Sequence, residues 1–263
     1  MRLRATGIDD SGDLDVDVDG IVFDKDGTLI DLDATWAPIT AAMLDAVVVE
    51  AVGASASDDA IEQLRSIVRA AAGVNDDGSL VPNGPAAVEP LAVLAMAVGD
   101  AVADAGLEAP QALARLAVGA VPLDAVELVP LGEVDGTLRR LCDAGLLLGV
   151  ATSDQRDLTE WSLDRLGWRE LLPFVACGDD RVGPKPNPAV LHLLAAEMGT
   201  TADRLVMVGD SIGDVRTGQA AGCAATVGVV GSGGRPDGAD VVIETIEAFF
   251  VDESPAGASE SAS

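Results

Sequence analysis

Ile21-Val22-Phe23-Asp24-Lys25-Asp26-Gly27-Thr28-Leu29-Ile30 constrains this chain more than any other stretch. Three apolar residues run into two carboxylates spaced by one residue, and a glycine follows. A short apolar run closed by a turn residue reads as a buried parallel strand feeding a loop. The C-terminal edge of such a strand is where open α/β sheets place their ligands. Two carboxylates at that edge cost stability unless their charge is used. A divalent cation would use it, because hard cations take oxygen ligands. One carboxylate could then serve as a nucleophile and the other as a general acid/base. Gly27 lets the backbone turn sharply, so that successive N–H groups can point at an anion.

The rest of the chain supplies the sheet that this strand needs. From Pro130 onward, strands and helices alternate. Strands are expected at Leu146–Ala151, Phe174–Cys177, Arg204–Val208, Ala224–Val229 and near Asp240–Ile243, after a first strand at about 19–24. Helices are expected at Glu133–Ala144, at Gln155–Leu166 and up to Met198 and Ala221, with a short one after the last strand. The expected fold class is α/β, a mainly parallel sheet covered by helices on both faces. Between Asp33 and Val129 the pattern is helical only, at Trp36–Val52, Asp58–Ala72 (with Ser57 or Asp58 as N-cap), Val88–Ala105 and Pro110–Val121. Asn75-Asp76-Asp77-Gly78 and Pro82-Asn83-Gly84-Pro85 read as turns. Residues 34–129 are therefore expected to be an all-helical insertion into a core made of 1–33 and 130–263. Residues 1–18 and 252–263 are expected to be poorly ordered.

Composition narrows the partners. The 263 residues carry a net charge of −28, which argues against nucleic acid and anionic membrane. The only lysines are Lys25 and Lys185. The scarcity of lysine fits either adaptation to high salt or a GC-rich genome. Aromatic residues are 3% and tyrosine is absent, so Ala, Val and Leu must build the core. Cys142, Cys177 and Cys223 form no pairing pattern, which suits a reducing cytoplasm. The N-terminus has no signal-peptide pattern, and no apolar run is read as reaching the ~20 residues that span a bilayer.

Four polar clusters follow strands or precede helices: Asp24/Asp26, Thr152/Ser153, Lys185 and Asp210/Asp214. Strand C-termini of a parallel sheet share one edge, so these clusters can converge. Phosphoryl transfer needs such parts: a carboxylate nucleophile, an acid/base, hydroxyl and N–H groups for non-bridging oxygens, and cations to offset charge. Asp24-Lys25-Asp26-Gly27-Thr28-Leu29, Ala151-Thr152-Ser153, Gly183-Pro184-Lys185-Pro186-Asn187-Pro188 and Gly209-Asp210-Ser211-Ile212-Gly213-Asp214 resemble the four motifs of the haloacid-dehalogenase-like (HAD) hydrolase superfamily. The helical insertion resembles that superfamily's C1 cap, and the nearest subgroup is the phosphoglycolate-phosphatase-like one.

The resemblance implies a Rossmann-like core and Mg²⁺-dependent hydrolysis of a small phosphomonoester, either 2-phosphoglycolate-like or a sugar phosphate. It implies that Asp24 is nucleophile and metal ligand. Asp26 is then the acid/base, with its carbonyl a second ligand. Gly27, Thr152 and Ser153 bind phosphate, Lys185 neutralises phosphate and nucleophile, and Asp210 and Asp214 hold Mg²⁺, Asp214 directly or through water. A pyrophosphatase, a phosphomutase, a metal-free 2-haloacid dehalogenase and a non-catalytic binding module remain alternatives. Oligomeric state is not legible. Lys25 departs from the motif and is expected to be solvated or salt-bridged. Trp36 is expected to pack the first cap helix, with lining of the substrate pocket as the alternative, and Trp161 and Trp168 to pack the core. Asp154 is expected to cap a helix, and Asp31 and Asp33 to be solvated. Asp179 and Asp180 are candidates to support the Lys185 loop, and His192 is expected to be packed or at the surface rather than catalytic.

Overall fold

A computed structural model describes residues 1–8, 12–53, 56–81, 84–89, 91–118, 126–230 and 234–251. Six parallel strands form the central sheet: β3 (Gly20–Phe23), β4 (Leu147–Ala151), β5 (Phe174–Ala176), β6 (Leu205–Gly209), β7 (Ala225–Val229) and β8 (Val241–Ile243). Their order is β5-β4-β3-β6-β7-β8, which puts β3 in the interior. All four residues of β3 are buried, as a strand covered on both faces requires. Period-two alternation divides the side chains between the faces. Ile21, Phe23, Val206 and Val208 enter one apolar cluster, whereas Val22, Leu205 and Met207 enter another.

Helices α6 (Val134–Asp143) and α7 (Arg156–Leu166) cover the first face through Val134, Leu138, Leu141 and Leu163. Helices α8 (Ala189–Met198) and α9 (Ile212–Ala221) cover the second through Val190, Leu191, Leu194 and Ala221. Gly167, Gly199 and Gly222 end α7, α8 and α9 in the left-handed conformation, where a Cβ would be strained.

The expectation of a poorly ordered N-terminus is overturned at residues 2–5 and 14–17. Strands β1 (Arg2–Ala5) and β2 (Leu14–Asp17) pair antiparallel, and β9 (Phe249–Val251) pairs with the other edge of β1. Leu3, Ala5, Leu14 and Phe249 are buried in the main apolar cluster. Asp15 and Asp17 stay outside, with Asp15 ion-paired to Arg2 and Arg4. Residues 252–263, also expected to lack order, lie outside the described residues.

Helices α1 (Leu32–Val52), α2 (Asp58–Ala72), α3 (Pro85–Val88), α4 (Leu91–Asp104) and α5 (Pro110–Ala117) gather around their own apolar cluster, which includes Leu44, Val47, Leu64, Val68, Leu94, Val98 and Leu116. The helix expected at Val88–Ala105 is α4, which begins at Leu91, while Val88 ends the separate short helix α3. The expectation for Val121 and for part of the Pro82–Pro85 turn falls outside the described residues. Contrary to the sequence reading, α1 is long and apolar enough, by length and composition alone, to cross a bilayer. In the fold, its Leu44, Val47 and Val48 pack into the helical cluster, Asp45 pairs with Arg65, and Glu50 accepts the first amides of α5 from Gln111 and Ala112.

The chain enters and leaves this helical segment side by side. Ile30 bridges Pro130, and the Asp31 amide donates to the Val129 carbonyl at 2.8 Å. Asp31 also caps α1 by accepting from the Ala34 amide, and Asp33 accepts from the Leu80 amide at 2.8 Å. Both carboxylates, expected to be solvated, thus tie the start of α1.

Candidate active site

The register of the sheet builds the site. Phe23 is level with Val150 of β4 and Val208 of β6. The residues just past these strand ends, Asp24, Thr152 and Asp210, therefore reach the same edge. Lys185 arrives from the loop before α8, and Asp214 from the first turn of α9. One carboxylate oxygen from each of Asp24, Asp210 and Asp214 lies within 4.8 Å of the other two, and all three residues are buried.

Lys185 Nζ donates to Asp24 Oδ1 and, at 2.6 Å, to Asp214 Oδ1. The other Asp214 oxygen accepts from the Ser211 amide and hydroxyl in a capping box that starts α9. Both oxygens of Asp214 are thus engaged within the protein, which suits a role in holding Lys185 and reaching a metal through water. Burial pushes the Asp24 carboxyl up to about 7, Lys185 pulls it back, and Asp214 adds to the rise. Burial, then Asp24 and Asp214, hold Asp210 well above the usual carboxylate range. Burial works against the Lys185 charge, but Asp214 and Asp24 outweigh it and raise its pKa.

Three carboxylates facing one ammonium leave two negative charges, the charge of one divalent cation. The donors are hard oxygens, which suits Mg²⁺. Gly27, at φ +85°, lies so close to Asp210 that a Cβ there would sit 2.0 Å from Oδ2. The residues therefore fit a divalent cation, and the close approach of the Gly27 backbone to Asp210 requires glycine.

Asp26 lines the same cavity but stands outside this carboxylate cluster. Its Oδ2 accepts from Lys25 Nζ, and its Oδ1 accepts from Trp36 Nε1 at 2.5 Å. Lys25 is 0% exposed and also pairs with Asp154 Oδ2 at 2.9 Å, so it is salt-bridged and not solvated. Burial opposes its charge, yet Asp154 and Asp26 raise its pKa above that of an ordinary lysine. The Trp36 ring lies with its centroid 5.3 Å from Lys25 Nζ. Trp36 thus reaches the site, the less favoured of the two places that the sequence reading weighed for it. Asp154 pairs with Lys25, and the N-cap of α7 is Gln155.

A cavity of about 660 Å³ joins these groups. Asp24, Asp26, Thr152, Ser153, Lys185 and Asp210 line its floor, and Trp36, Met43 and Leu91 of the helical segment line its roof. Thr152 Oγ1 accepts from the Asp154 amide at 3.1 Å, which leaves its hydroxyl proton free to donate. Asp179 and Asp180 serve Arg156: Asp179 accepts its amide, and Asp180 its guanidinium at 2.6 Å. His192 is exposed on α8, and Trp168 is buried in the core.

The chain is similar to known proteins over different shares of its length. A phosphoglycolate phosphatase of Yersinia pseudotuberculosis is 37% identical over 91 residues, 35% of this chain and 39% of that protein. The matched stretch thus spans well under half of that relative's length. An N-acetylmuramic acid 6-phosphate phosphatase of Pseudomonas aeruginosa is 27% identical over 230 residues, 85% of this chain and 89% of that one. A crystal structure described as a predicted phosphoglycolate phosphatase from Haemophilus somnus 129pt superposes with a TM-score of 0.61 at 22% identity, covering 87% of this chain and 95% of its own. The family model for haloacid dehalogenase-like hydrolases matches residues 18–222, from the residue after β2 to the glycine that ends α9, and the chain belongs to that family.

Proposed function

We propose that this protein is a Mg²⁺-dependent phosphatase that hydrolyses a small phosphomonoester through a phosphoryl group carried on Asp24, with the helical segment 34–129 acting as a cap. The observation that carries this reading is the convergence of Asp24, Asp210 and Asp214 on Lys185, beside a separate carboxylate, Asp26, on the same cavity. The two relatives described above are both named as phosphatases of phosphomonoesters, which supports the same class.

In this reading an Asp24 oxygen attacks phosphorus, and the ester oxygen leaves with a proton from Asp26. Asp26, now a carboxylate, takes a proton from the water that attacks the phosphoryl group. Inorganic phosphate leaves, and both carboxyls return to their starting states. The Thr152 hydroxyl and the Ser153 and Gly27 backbone hold non-bridging oxygens, while Lys185 offsets their charge. Asp24, the Asp26 carbonyl, Asp210 and Asp214 would hold Mg²⁺, Asp214 through water. When bound, Mg²⁺ supplies positive charge to the transferring phosphoryl oxygens. The adjacent entry and exit of the helical segment at Ile30 and Pro130 suit a hinge that opens for substrate and then excludes bulk water.

Halide departs without a proton and without a metal, so a general acid at Asp26 and a cation-sized cluster of Asp24, Asp210 and Asp214 favour phosphoryl transfer over dehalogenation. The test is phosphate release from a panel of phosphomonoesters in Mg²⁺ and in EDTA. Release is expected in Mg²⁺ alone, and Asp24→Asn is expected to lower it at least about 10³-fold. Wild-type rates in Asp24→Asn, or chloride release from 2-haloacids with no phosphate release, would sink the proposal.

A further inference from the structure

Lys25 has no part in the chemistry described above, yet it is 0% exposed at the edge of the cavity. An ammonium cut off from water persists only where its charge is met. Two carboxylates meet it here. Asp26 Oδ2 accepts from Nζ, and Asp154 Oδ2, itself shielded from solvent, lies 2.9 Å away. The Lys25 backbone is also fixed, because its carbonyl accepts from the Leu29 and Ile30 amides at 2.9 and 3.0 Å. Trp36 of α1 completes the arrangement by donating to Asp26 Oδ1 at 2.5 Å while its ring faces Lys25 Nζ.

Asp26 thus has a donor on each carboxyl oxygen. The donors are anchored on the loop after β3 and on the first helix of the helical segment, and Lys25 is tied in turn to the loop after β4. Turning the Asp26 carboxyl away from the cavity would break a buried ion pair and leave Lys25 short of a partner, a change that costs far more than an exposed contact would.

We infer that Lys25 is a positioning residue for Asp26: through Asp154 and alongside Trp36 it fixes the carboxyl that protonates the leaving oxygen, without touching substrate itself. This rests on the reading of Asp26 as the acid/base. A lysine that only stabilised the fold would, when removed, lower the turnover of every substrate alike. A positioning lysine leaves a different signature. Its loss slows an alkyl ester, whose alkoxide needs a proton to depart, far more than an aryl ester, whose phenolate does not.

The experiment measures kcat/KM for β-glycerol phosphate and p-nitrophenyl phosphate at saturating Mg²⁺. The proteins are wild type, Asp26→Asn, Lys25→Met, Asp154→Asn and the double variant Lys25→Met/Asp154→Asn. The double variant removes one positive and one negative charge together, so it leaves no extra unpaired buried charge if Lys25→Met alone folds poorly. Asp154→Asn, at a partly exposed position, loosens Lys25 without removing a donor from Asp26. Asp26→Asn is expected to lose about 100-fold on the alkyl ester and less than about tenfold on the aryl ester. Lys25→Met and the double variant should repeat that unequal loss, with Asp154→Asn following in smaller measure. Equal losses on the two esters, or a wild-type ratio in the double variant, would overturn the inference while Asp26 keeps its role. Equal losses in Asp26→Asn, or an inactive wild type, would overturn the underlying function and the inference with it.

Discussion

The backbone at Gly27 lies so close to Asp210 that a methyl group on residue 27 would sit 2.0 Å from one carboxylate oxygen and 2.4 Å from the carboxyl carbon. Residue 27 also sits at φ +85°, where an L side chain is strained. Gly27→Ala should therefore do two separable things. Strain should lower stability in EDTA by about 1–3 kcal/mol, read from urea denaturation. Displacement of Asp210 should weaken Mg²⁺ binding, read from a smaller Mg²⁺-induced rise in Tm at each metal concentration. A variant whose Tm answers Mg²⁺ as the wild type does would show that Asp210 needs no such fixed position.

Asp210 itself should be a liability without metal. It is held well above the usual carboxylate range, first by burial and then by Asp24 and Asp214, so its charged form is disfavoured in the folded state. Asp210→Asn keeps the shape and removes the charge. In EDTA the variant should match or exceed wild-type stability, by about 1 kcal/mol, whereas Mg²⁺ should stabilise the wild type and not the variant, which should also lose the proposed phosphate release. Urea curves of both proteins, with and without Mg²⁺, read this directly. A variant less stable than wild type in EDTA would mean that the three carboxylates do not oppose one another.

The parts of this site that were legible in the sequence are those that the sheet brings together. Asp24, Thr152 and Asp210 each follow an apolar strand, and parallel pairing of Phe23 with Val150 and Val208 makes their meeting a matter of register. A salt bridge for Lys25 was among the expectations, but its burial was not legible, because what buries it is remote in sequence: Asp154 comes from the loop after β4, and Trp36 from α1. A lone lysine beside an aspartate carries no local signal of either. The N-terminal strands are a different case. Arg2-Leu3-Arg4-Ala5 and Leu14-Asp15-Val16-Asp17 alternate with period two, and the apolar members Leu3, Ala5 and Leu14 are buried. The signal was present, but acidic composition outweighed it. Helix ends were legible where a glycine or serine marked them, as at Ser57 and Gly167, and not where Asp31 capped α1 ahead of its apolar run.

Far from the site, Asp19 gives a pH signature. It precedes β3 and accepts from Arg204 Nη2 at 2.8 Å and Thr200 Oγ1 at 2.6 Å. These two hydrogen bonds, Arg204 first, lower its pKa from 3.8 to about 2. The folded state therefore holds the carboxylate more readily than the unfolded chain does. Its contribution is complete above pH 3.8 and fades as the pH falls toward 2. The side chain is 41% exposed, so solvent screening leaves about 1 kcal/mol. Asp19→Asn should lose that amount at neutral pH, with the gap to wild type narrowing below pH 4 and with kcat unchanged. A gap that stays constant from pH 7 to pH 3 would assign the loss to something other than this ion pair.

The charge of the cavity wall bears on which alcohol leaves. Leu32, Trp36, Ile39, Met43, Leu91 and Glu89 form much of the wall supplied by the helical segment. The chain has 16 lysines and arginines, all within the described residues. Of these, Lys185 alone lines the cavity, and it is already bonded to Asp24 and Asp214. A leaving group with its own carboxylate would meet apolar surface and Glu89 with no cation to pair with, and burying such a charge unpaired is expensive. An uncharged alcohol of the same size meets no such penalty. Ethylene glycol monophosphate and 2-phosphoglycolate differ only in replacing a hydroxymethyl group by a carboxylate. Ethylene glycol monophosphate should have the higher kcat/KM by about tenfold or more, equivalent to about 1.4 kcal/mol. Glu89→Arg should narrow that gap by raising turnover of 2-phosphoglycolate. If the wild type prefers 2-phosphoglycolate, backbone amides or a helix N-terminus must be meeting the carboxylate, and the side-chain charge of the wall does not set the choice.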